Sequence, residues 1–181
     1  MNLRRMPGGL LVLCAAALAT TLPRTSTRDM VRDADVVVCA ECTSCRPRLD
    51  PRTGLVFTQV KLRVLETLKG EPEGPTLELS ILGGEDGGQK TVVVGMPRFT
   101  AGRESVLLLK RRKDGAWLVS LAHRGHIPIR RDKKGRRHLG ARVSGFKDLA
   151  GPERISLDAF RTAVLRQVRL QEKEERAKEA K

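Results

Sequence analysis

Aromatic side chains are scarce in this sequence, and tyrosine is absent. Four phenylalanines and one tryptophan make up 3% of the 181 residues. β-Barrels that bind single-stranded nucleic acid normally stack successive bases on several aromatic rings. The most basic segment, residues 123–147, contains only Phe146, which lies outside its predicted hairpin. This scarcity argues against nucleic acid as the partner.

Known catalytic motifs are also missing. The chain contains neither a GxSxG nor an HExxH pattern. The glycine-rich segment 83–88 lacks the lysine step of a phosphate-binding loop, and its Glu85 and Asp86 would repel phosphate. We therefore expect this segment to be a flexible turn, the protein not to be an enzyme, and no cofactor to be bound.

Long apolar runs are absent after residue 19, and the run before it is short. Arg4 and Arg5 precede an apolar stretch at residues 10–19 that ends in the small-residue motif Ala-Leu-Ala. A membrane-spanning helix needs about 20 apolar residues. The pattern predicts that residues 1–19 are a signal peptide cleaved before Thr20 and that the mature chain is secreted or periplasmic. A retained membrane anchor is the alternative.

Positive charge is abundant. The chain has 35 Lys and Arg against 21 Asp and Glu, a net charge of +14, which becomes +12 when Arg4 and Arg5 leave with the signal peptide. Such a surface favours polyanionic partners. Solubility alone is the alternative explanation.

Alternating and β-branched segments predict a mainly β fold. Segment 39–54 is turn-rich, with Pro47, Pro51 and Gly54, and Pro128 is expected to keep its strand at a sheet edge. The predicted strands cover residues 34–40, 55–68, 77–81, 91–94, 105–109, 117–121, 127–131 and 136–139.

The C-terminal segment has helical periodicity. Ser156 is the predicted N-cap, and apolar residues from Leu157 to Val168 share one face. The charged tail that follows is predicted to be a fraying helix. The domains are then a lead-in or short helical turn at 20–33, a small barrel or sandwich at 34–147, and a helix with its tail at 148–181.

Five sequence blocks between residues 34 and 147 carry a family resemblance. They are ADVVV, VLETLKGEP, ILGGEDGG, GMPRFTAGRESVLLL and GHIPIRRDKKGR. Their order resembles exported bacterial domains with an oligonucleotide/oligosaccharide-binding-like (OB-like) barrel. That barrel is similar to the netrin module and to tissue inhibitors of metalloproteinases.

The resemblance implies a β-barrel with a C-terminal helix that serves as a binding scaffold. The animal inhibitors reach the protease zinc with a cysteine at the mature N-terminus. Here the predicted mature N-terminus is Thr20, and the first mature cysteine is Cys39. The inhibitory mechanism of those proteins is therefore not expected in this chain.

Three mature cysteines, Cys39, Cys42 and Cys45, have CxxCxxC spacing. In an exported chain we expect one local disulfide among them and one remaining thiol, which could be buried or link two chains. Thiol redox chemistry or a three-thiolate metal site is the alternative. No helix begins after these cysteines to lower a thiol pKa, because Pro47 and Pro51 follow.

Residues 123–147 contain nine Lys and Arg against the single acidic residue Asp132. This field would repel a metal cation, so His123, His126 and His138 are predicted to be surface residues rather than metal ligands. Guanidinium groups bind sulfate, phosphate and carboxylate with fork geometry. The alternative role of these charges is to keep an edge hairpin from aggregating. The candidate anion-binding residues are Arg124, Arg130, Arg131, Lys133, Lys134, Arg136, Arg137 and Arg142.

The sequence thus predicts an exported, non-enzymatic binding module, a protein-interaction or inhibitor-like barrel. Binding of an acidic polysaccharide or another anionic polymer through residues 123–147 is the first alternative. Thiol redox chemistry or metal handling by the three cysteines is the second.

Overall fold

A computed structural model of the chain describes residues 25–141, 143–146, 149 and 155–180. The predicted signal peptide at 1–19 and candidate residue Arg142 lie outside these ranges. The helices are α1 (Thr27–Asp33) and α2 (Leu157–Glu179), with a 3₁₀ turn at Ala122–Gly125. The strands are β1 (Val36–Asp50), β2 (Leu55–Lys69), β3 (Thr76–Leu82), β4 (Gly84–Asp86), β5 (Gln89–Thr91), β6 (Glu104–Arg111), β7 (Trp117–Val119), β8 (His126–Arg131) and β9 (Arg137–Leu139).

Five strands close a barrel in the order β1-β2-β3-β7-β6, with β6 pairing back onto β1. All of these pairings are antiparallel except the short contact between β3 and β7, where Leu79 lies opposite Trp117. One edge of β6 pairs with β7 through Leu109–Arg111 and with β8 through Ser105–Leu107. The β8–β9 hairpin therefore extends the sheet beyond the closed barrel.

The long β1–β2 pair is interrupted by three register shifts. They fall between Val37 and Val38, between Cys39 and Ala40, and between Cys42 and Ser44. An extra residue on one strand bends the pair and increases its right-handed twist. These irregularities let two 15-residue strands curl around a small barrel.

The alternation of β1 divides the apolar side chains into two cores. Val36, Val38 and Ala40 point into the barrel, where they contact side chains from β2, β3, β6 and β7. Val37 and Cys39 point to the outer face, which is covered by α1 and α2. The outer core also includes Phe160 of α2, which is fully buried.

The two helices begin where the sequence supplies caps. Ser26 and Asp29 form a reciprocal capping box at α1, so the lead-in contains a helix of seven residues. Ser156 caps α2 through a hydrogen bond from the Ala159 amide, as predicted. Arg161 of α2 lies 2.5 Å from Glu66 of β2 and ties the helix to the barrel. No helix within the described residues is long and apolar enough to cross a membrane.

Three predictions about secondary structure are corrected. Segment 39–54 is mostly strand rather than a series of turns, because β1 continues to Asp50 and its backbone pairs with β2 along that length. Segment 83–88 is part of a short hairpin formed by β4 and β5. β8 is not an edge strand, since it lies between β6 and β9.

Pro128 is accommodated within β8 because β9 ends beside it. The Pro128 carbonyl accepts a hydrogen bond from the Gly140 amide at 2.6 Å, just past the last residue of β9. In an antiparallel strand the N–H and C=O of a residue point to the same side. The position without an N–H therefore faces Gly140, just past the end of β9, so only the terminal bond of the β8–β9 ladder is missing.

Candidate functional site

A groove of about 600 Å³ separates strand β8 from the segment before β6. Cys42 of β1 lies at its side and holds that segment in place. The Cys42 amide donates to the Arg103 carbonyl at 2.9 Å, and the Gly102 amide donates to the Cys42 carbonyl at 2.7 Å. Arg98 and Arg103 are thereby brought opposite β8.

A second groove, of about 720 Å³, lies along the β8–β9 hairpin. Its turn is fixed by Asp132, whose Oδ1 accepts from the Lys134 amide at 2.8 Å and from the Arg136 amide at 3.0 Å. Arg130 and Arg131 line both grooves, so the two adjoin. Seven cationic side chains and two carboxylates line the combined surface, which we call the basic groove. The cations are Arg98, Arg103, Arg130, Arg131, Lys133, Lys134 and Arg136, and the carboxylates are Glu104 and Asp132.

The two carboxylates neutralise part of the predicted charge. Glu104 Oε1 lies 2.6 Å from Arg131 Nη2, and its Oε2 lies 3.6 Å from Arg137 Nη1. Asp132 Oδ2 lies 2.8 Å from Arg136 Nε. The hydrogen bond from Arg136 is the main reason that the pKa of Asp132 is lowered. Three of the candidate arginines are therefore already paired.

Other candidate cations have no carboxylate partner within the described part of the chain. Arg130, Lys133 and Lys134 are exposed and form no ion pair there. Arg124 is used differently, because its guanidinium donates to the Thr25 carbonyl near α1. The predicted set is therefore not one uniform patch.

Sequence reasoning missed Arg98 and Arg103. They are about 30 residues before the hairpin, and they come close to it only because β6 pairs with both β1 and β8. Both are exposed and unpaired in the described residues. The segment PRFTAGR could have indicated these two residues, because it places both arginines around a turn directly before a central strand.

The three histidines lie in different environments. His123 is exposed, and His138 lies opposite Arg130, as the predicted hairpin requires. His126 is not a surface residue: it is half-buried, and its ring centroid lies 4.5 Å from that of Phe99. Burial lowers the pKa of His126 to about 4, so this ring is neutral at pH 7. Within the described residues no group of three metal-ligating side chains is assembled.

The three cysteines are free thiols in the structure. Cys39 lies in the outer core beneath α2, whereas Cys42 and Cys45 face the barrel core. Burial raises the pKa of both Cys39 and Cys42 to about 11. These two thiols are therefore protonated at neutral pH.

The chain matches no protein-family model, and comparison with curated proteins finds no significant similarity. What the structure establishes is the class: a small, mainly β protein built on a closed five-strand barrel with a C-terminal helix. Such a barrel is compatible with the predicted OB-like fold.

Proposed function

We propose that this protein is a non-enzymatic binding module that uses the basic groove to hold an anionic macromolecule. The proposal rests on five cations from two separate chain segments that converge on the groove and form no ion pair within the described residues. Arg98 and Arg103 come from one wall, while Arg130, Lys133 and Lys134 come from the other.

The composition of the groove favours sulfate or carboxylate groups carried on a polymer. Arginine presents a planar fork that bonds these anions through two N–H groups, whereas lysine acts as a mobile point charge. The two adjoining grooves form an extended surface, which suits a chain with repeated charges better than one small anion. We therefore favour an acidic polysaccharide.

Heparin provides a defined sulfated probe for this proposal. The triple variant R98Q/R103Q/R130Q removes the unpaired arginines without disturbing an ion pair. If each lost contact is worth about 0.5 kcal/mol, heparin affinity should fall at least about tenfold. Binding would be measured by calorimetry at several salt concentrations, and the salt dependence should also become less steep.

The matched control is R169Q/K173Q/K178Q, which removes the same charge from exposed positions of α2 that line neither groove. Its affinity should remain close to that of the wild type. An equal loss in both variants would show that net charge alone governs binding and would overturn the assignment of the groove.

A second candidate is binding of an acidic protein segment, and a neighbouring pocket favours it. A cavity of about 400 Å³ shares Arg98 and Phe99 with the basic groove and is lined by Val92, Val93 and Met96. Val92 is 67% exposed. A protein that presents carboxylates beside apolar side chains would cover both surfaces.

Two synthetic polymers separate these candidates. A glutamate–leucine copolymer should bind the wild type more tightly than polyglutamate if the apolar pocket contributes. That advantage should disappear in V92S/V93S, while heparin affinity stays unchanged. Equal binding of the two polymers by the wild type would leave only the polysaccharide candidate.

We further propose that the chain is exported and that its barrel is related to the netrin and metalloproteinase-inhibitor modules. The support is the sequence pattern of residues 1–19 and the order of the blocks between residues 34 and 147. N-terminal sequencing of protein from the native host would test the export step. The expected first residue is Thr20, and a chain that still begins at Met1 would contradict cleavage.

A further inference from the structure

Cys42 and Cys45 lie on the same face of β1 despite being three residues apart. In a regular strand successive side chains alternate, so an odd spacing would place them on opposite faces. The register shift at Thr43 changes this, because Cys42 pairs with Leu62 and Cys45 pairs with Val60. Both thiols pack in the barrel core, and Cys42 Sγ donates to the Ser44 carbonyl at 3.5 Å, between the two cysteines. Burial first, and then the neighbouring Cys45 thiol, raise the pKa of Cys42.

The backbone spacing is compatible with a covalent bond. The two cysteines span a two-residue step of β2, which corresponds to about 6.6 Å between their Cα atoms at ~3.3 Å per residue. Disulfides bridge Cα atoms that are about 4.4–6.8 Å apart. The step therefore falls at the long end of the range, and the extra residue at the bulge can absorb a small contraction.

Cys39 is separated from this pair by the sheet itself. Its side chain lies in the outer core with Phe160 and Val164 of α2, and it is 2% exposed. A bond from Cys39 to either of the other cysteines would have to pass through the β1 backbone plane. We propose that Cys42 and Cys45 form an intramolecular disulfide and that Cys39 remains a buried thiol.

The two thiols differ in solvent accessibility, and this difference determines which of them reacts first. Cys45 is half-buried, whereas Cys42 is 1% exposed. The Cys45 thiolate attacks a sulfur of an external disulfide, forming a mixed disulfide and releasing one donor thiolate. Cys42 then loses its proton, and its thiolate attacks Cys45 Sγ and releases the second donor thiolate. Two protein thiols are oxidised, and the donor disulfide is reduced to two thiols.

This modification site is independent of the proposed anion binding, although the two share a wall. The Cys42 backbone holds Gly102 and Arg103 through two hydrogen bonds. A disulfide at the bulge would fix the position of β1 at that point.

The test uses the full chain carrying C14S, so that Cys39, Cys42 and Cys45 are its only cysteines. The folded protein is incubated with oxidised glutathione, the remaining thiols are alkylated after denaturation, and the peptides are mapped by mass spectrometry. This C14S reference protein should lose two hydrogen atoms and retain one thiol, Cys39, that is alkylated after denaturation. C39S should form the same Cys42–Cys45 link. C42S should stop at the mixed disulfide, with glutathione attached to Cys45, and C45S should form no internal link.

Thermal unfolding of each variant would show that it is folded, and C42A replaces C42S if the buried hydroxyl prevents folding. A link that includes Cys39 would overturn the proposal. So would finding, after the folded C14S protein has been treated with oxidised glutathione, that all three thiols are alkylated on denaturation. Heparin binding by the reduced protein is a separate readout, so failure of the disulfide leaves the groove assignment intact.

Discussion

The Glu104 carboxylate lies 2.6 Å from the Arg131 guanidinium and links strand β6 to strand β8 across the basic groove. The same carboxylate also faces Arg137 at 3.6 Å. One acidic side chain thus withholds two guanidinium groups from any external anion. Glu104 is 20% exposed, which limits the solvent that could weaken these pairs.

We expect E104Q to increase anion binding at a small cost in stability. Removing the carboxylate frees Arg131 and Arg137, so heparin affinity should rise about two- to fivefold, which corresponds to less than ~1 kcal/mol. The free energy of unfolding should fall by a similar amount. E78Q is the control, because it makes the same charge change at an exposed pair with Lys61, outside the groove. An equal rise in E78Q would attribute the effect to net charge.

Removing the main side chain between α2 and the barrel should destabilise the whole protein. Phe160 is 0% exposed and makes an edge-to-face contact with Phe146 at 5.8 Å between ring centroids. F160A should lower the free energy of unfolding by about 3–5 kcal/mol, as measured by urea denaturation. L170A, on the same helix but 45% exposed, should change it by less than ~0.5 kcal/mol. A small effect of F160A would mean that α2 contributes little to folding.

Gly125 is required because backbone atoms occupy the space of a side chain. A Cβ at this position would lie 2.3 Å from the Ser120 carbonyl oxygen and 3.1 Å from that of Leu108. G125A should therefore displace the turn before β8 and cost about 1–3 kcal/mol or more, seen as a lower Tm. G74A is the control, since no atom lies within 4 Å of its Cβ position. A wild-type Tm in G125A would contradict the predicted collision.

The protein should become less stable as the pH falls from 6.5 to 4. Burial lowers the pKa of His126 to about 4, whereas an unfolded histidine titrates near 6.5. In that window the unfolded state binds more protons, so its free energy falls relative to the folded state by at most about 1.4 kcal/mol per pH unit. Above pH 6.5 His126 is neutral in both the folded and the unfolded state, so it no longer changes the free energy of unfolding with pH.

H126Q should flatten the pH dependence in that window alone. The variant and the wild type would be compared by chemical denaturation at several pH values. The carboxylates with lowered pKa values, Asp29, Asp50 and Asp132, lose their contribution at lower pH, because their ordinary pKa is 3.8. Identical profiles between pH 4 and 6.5 would show that His126 is not the responsible group.

The local sequence pattern predicts those strands that have one apolar, buried face and one polar, exposed face. Leu77, Leu79 and Ile81 alternate with polar residues, and β3 buries those three side chains. The sequence does not predict the strand that follows Cys42, because Pro47 and Pro51 are typical of turns. Its strand conformation comes from backbone pairing with β2, which does not depend on the side chains of β1.

The basic hairpin was also predictable, whereas its surroundings were not. The cluster of Lys and Arg around Asp132 is contiguous in sequence, so composition alone reveals it. The pairing of Arg131 with Glu104 depends on closure of the barrel, as does the arrival of Arg98 and Arg103 opposite β8. Tertiary contacts of this kind leave no periodic signal in the chain.

The bulge at Thr43 shifts the phase of β1 by half a period. Before it, even-numbered residues such as Ala40 and Cys42 face inward, while after it the inward position passes to odd-numbered Cys45. A regular strand that kept all fifteen residues but lacked this bulge would point the far half of β1 the other way, with its opposite surface toward the barrel. One threonine thus determines which side chains of the β1–β2 ribbon belong to the interior and which belong to the solvent.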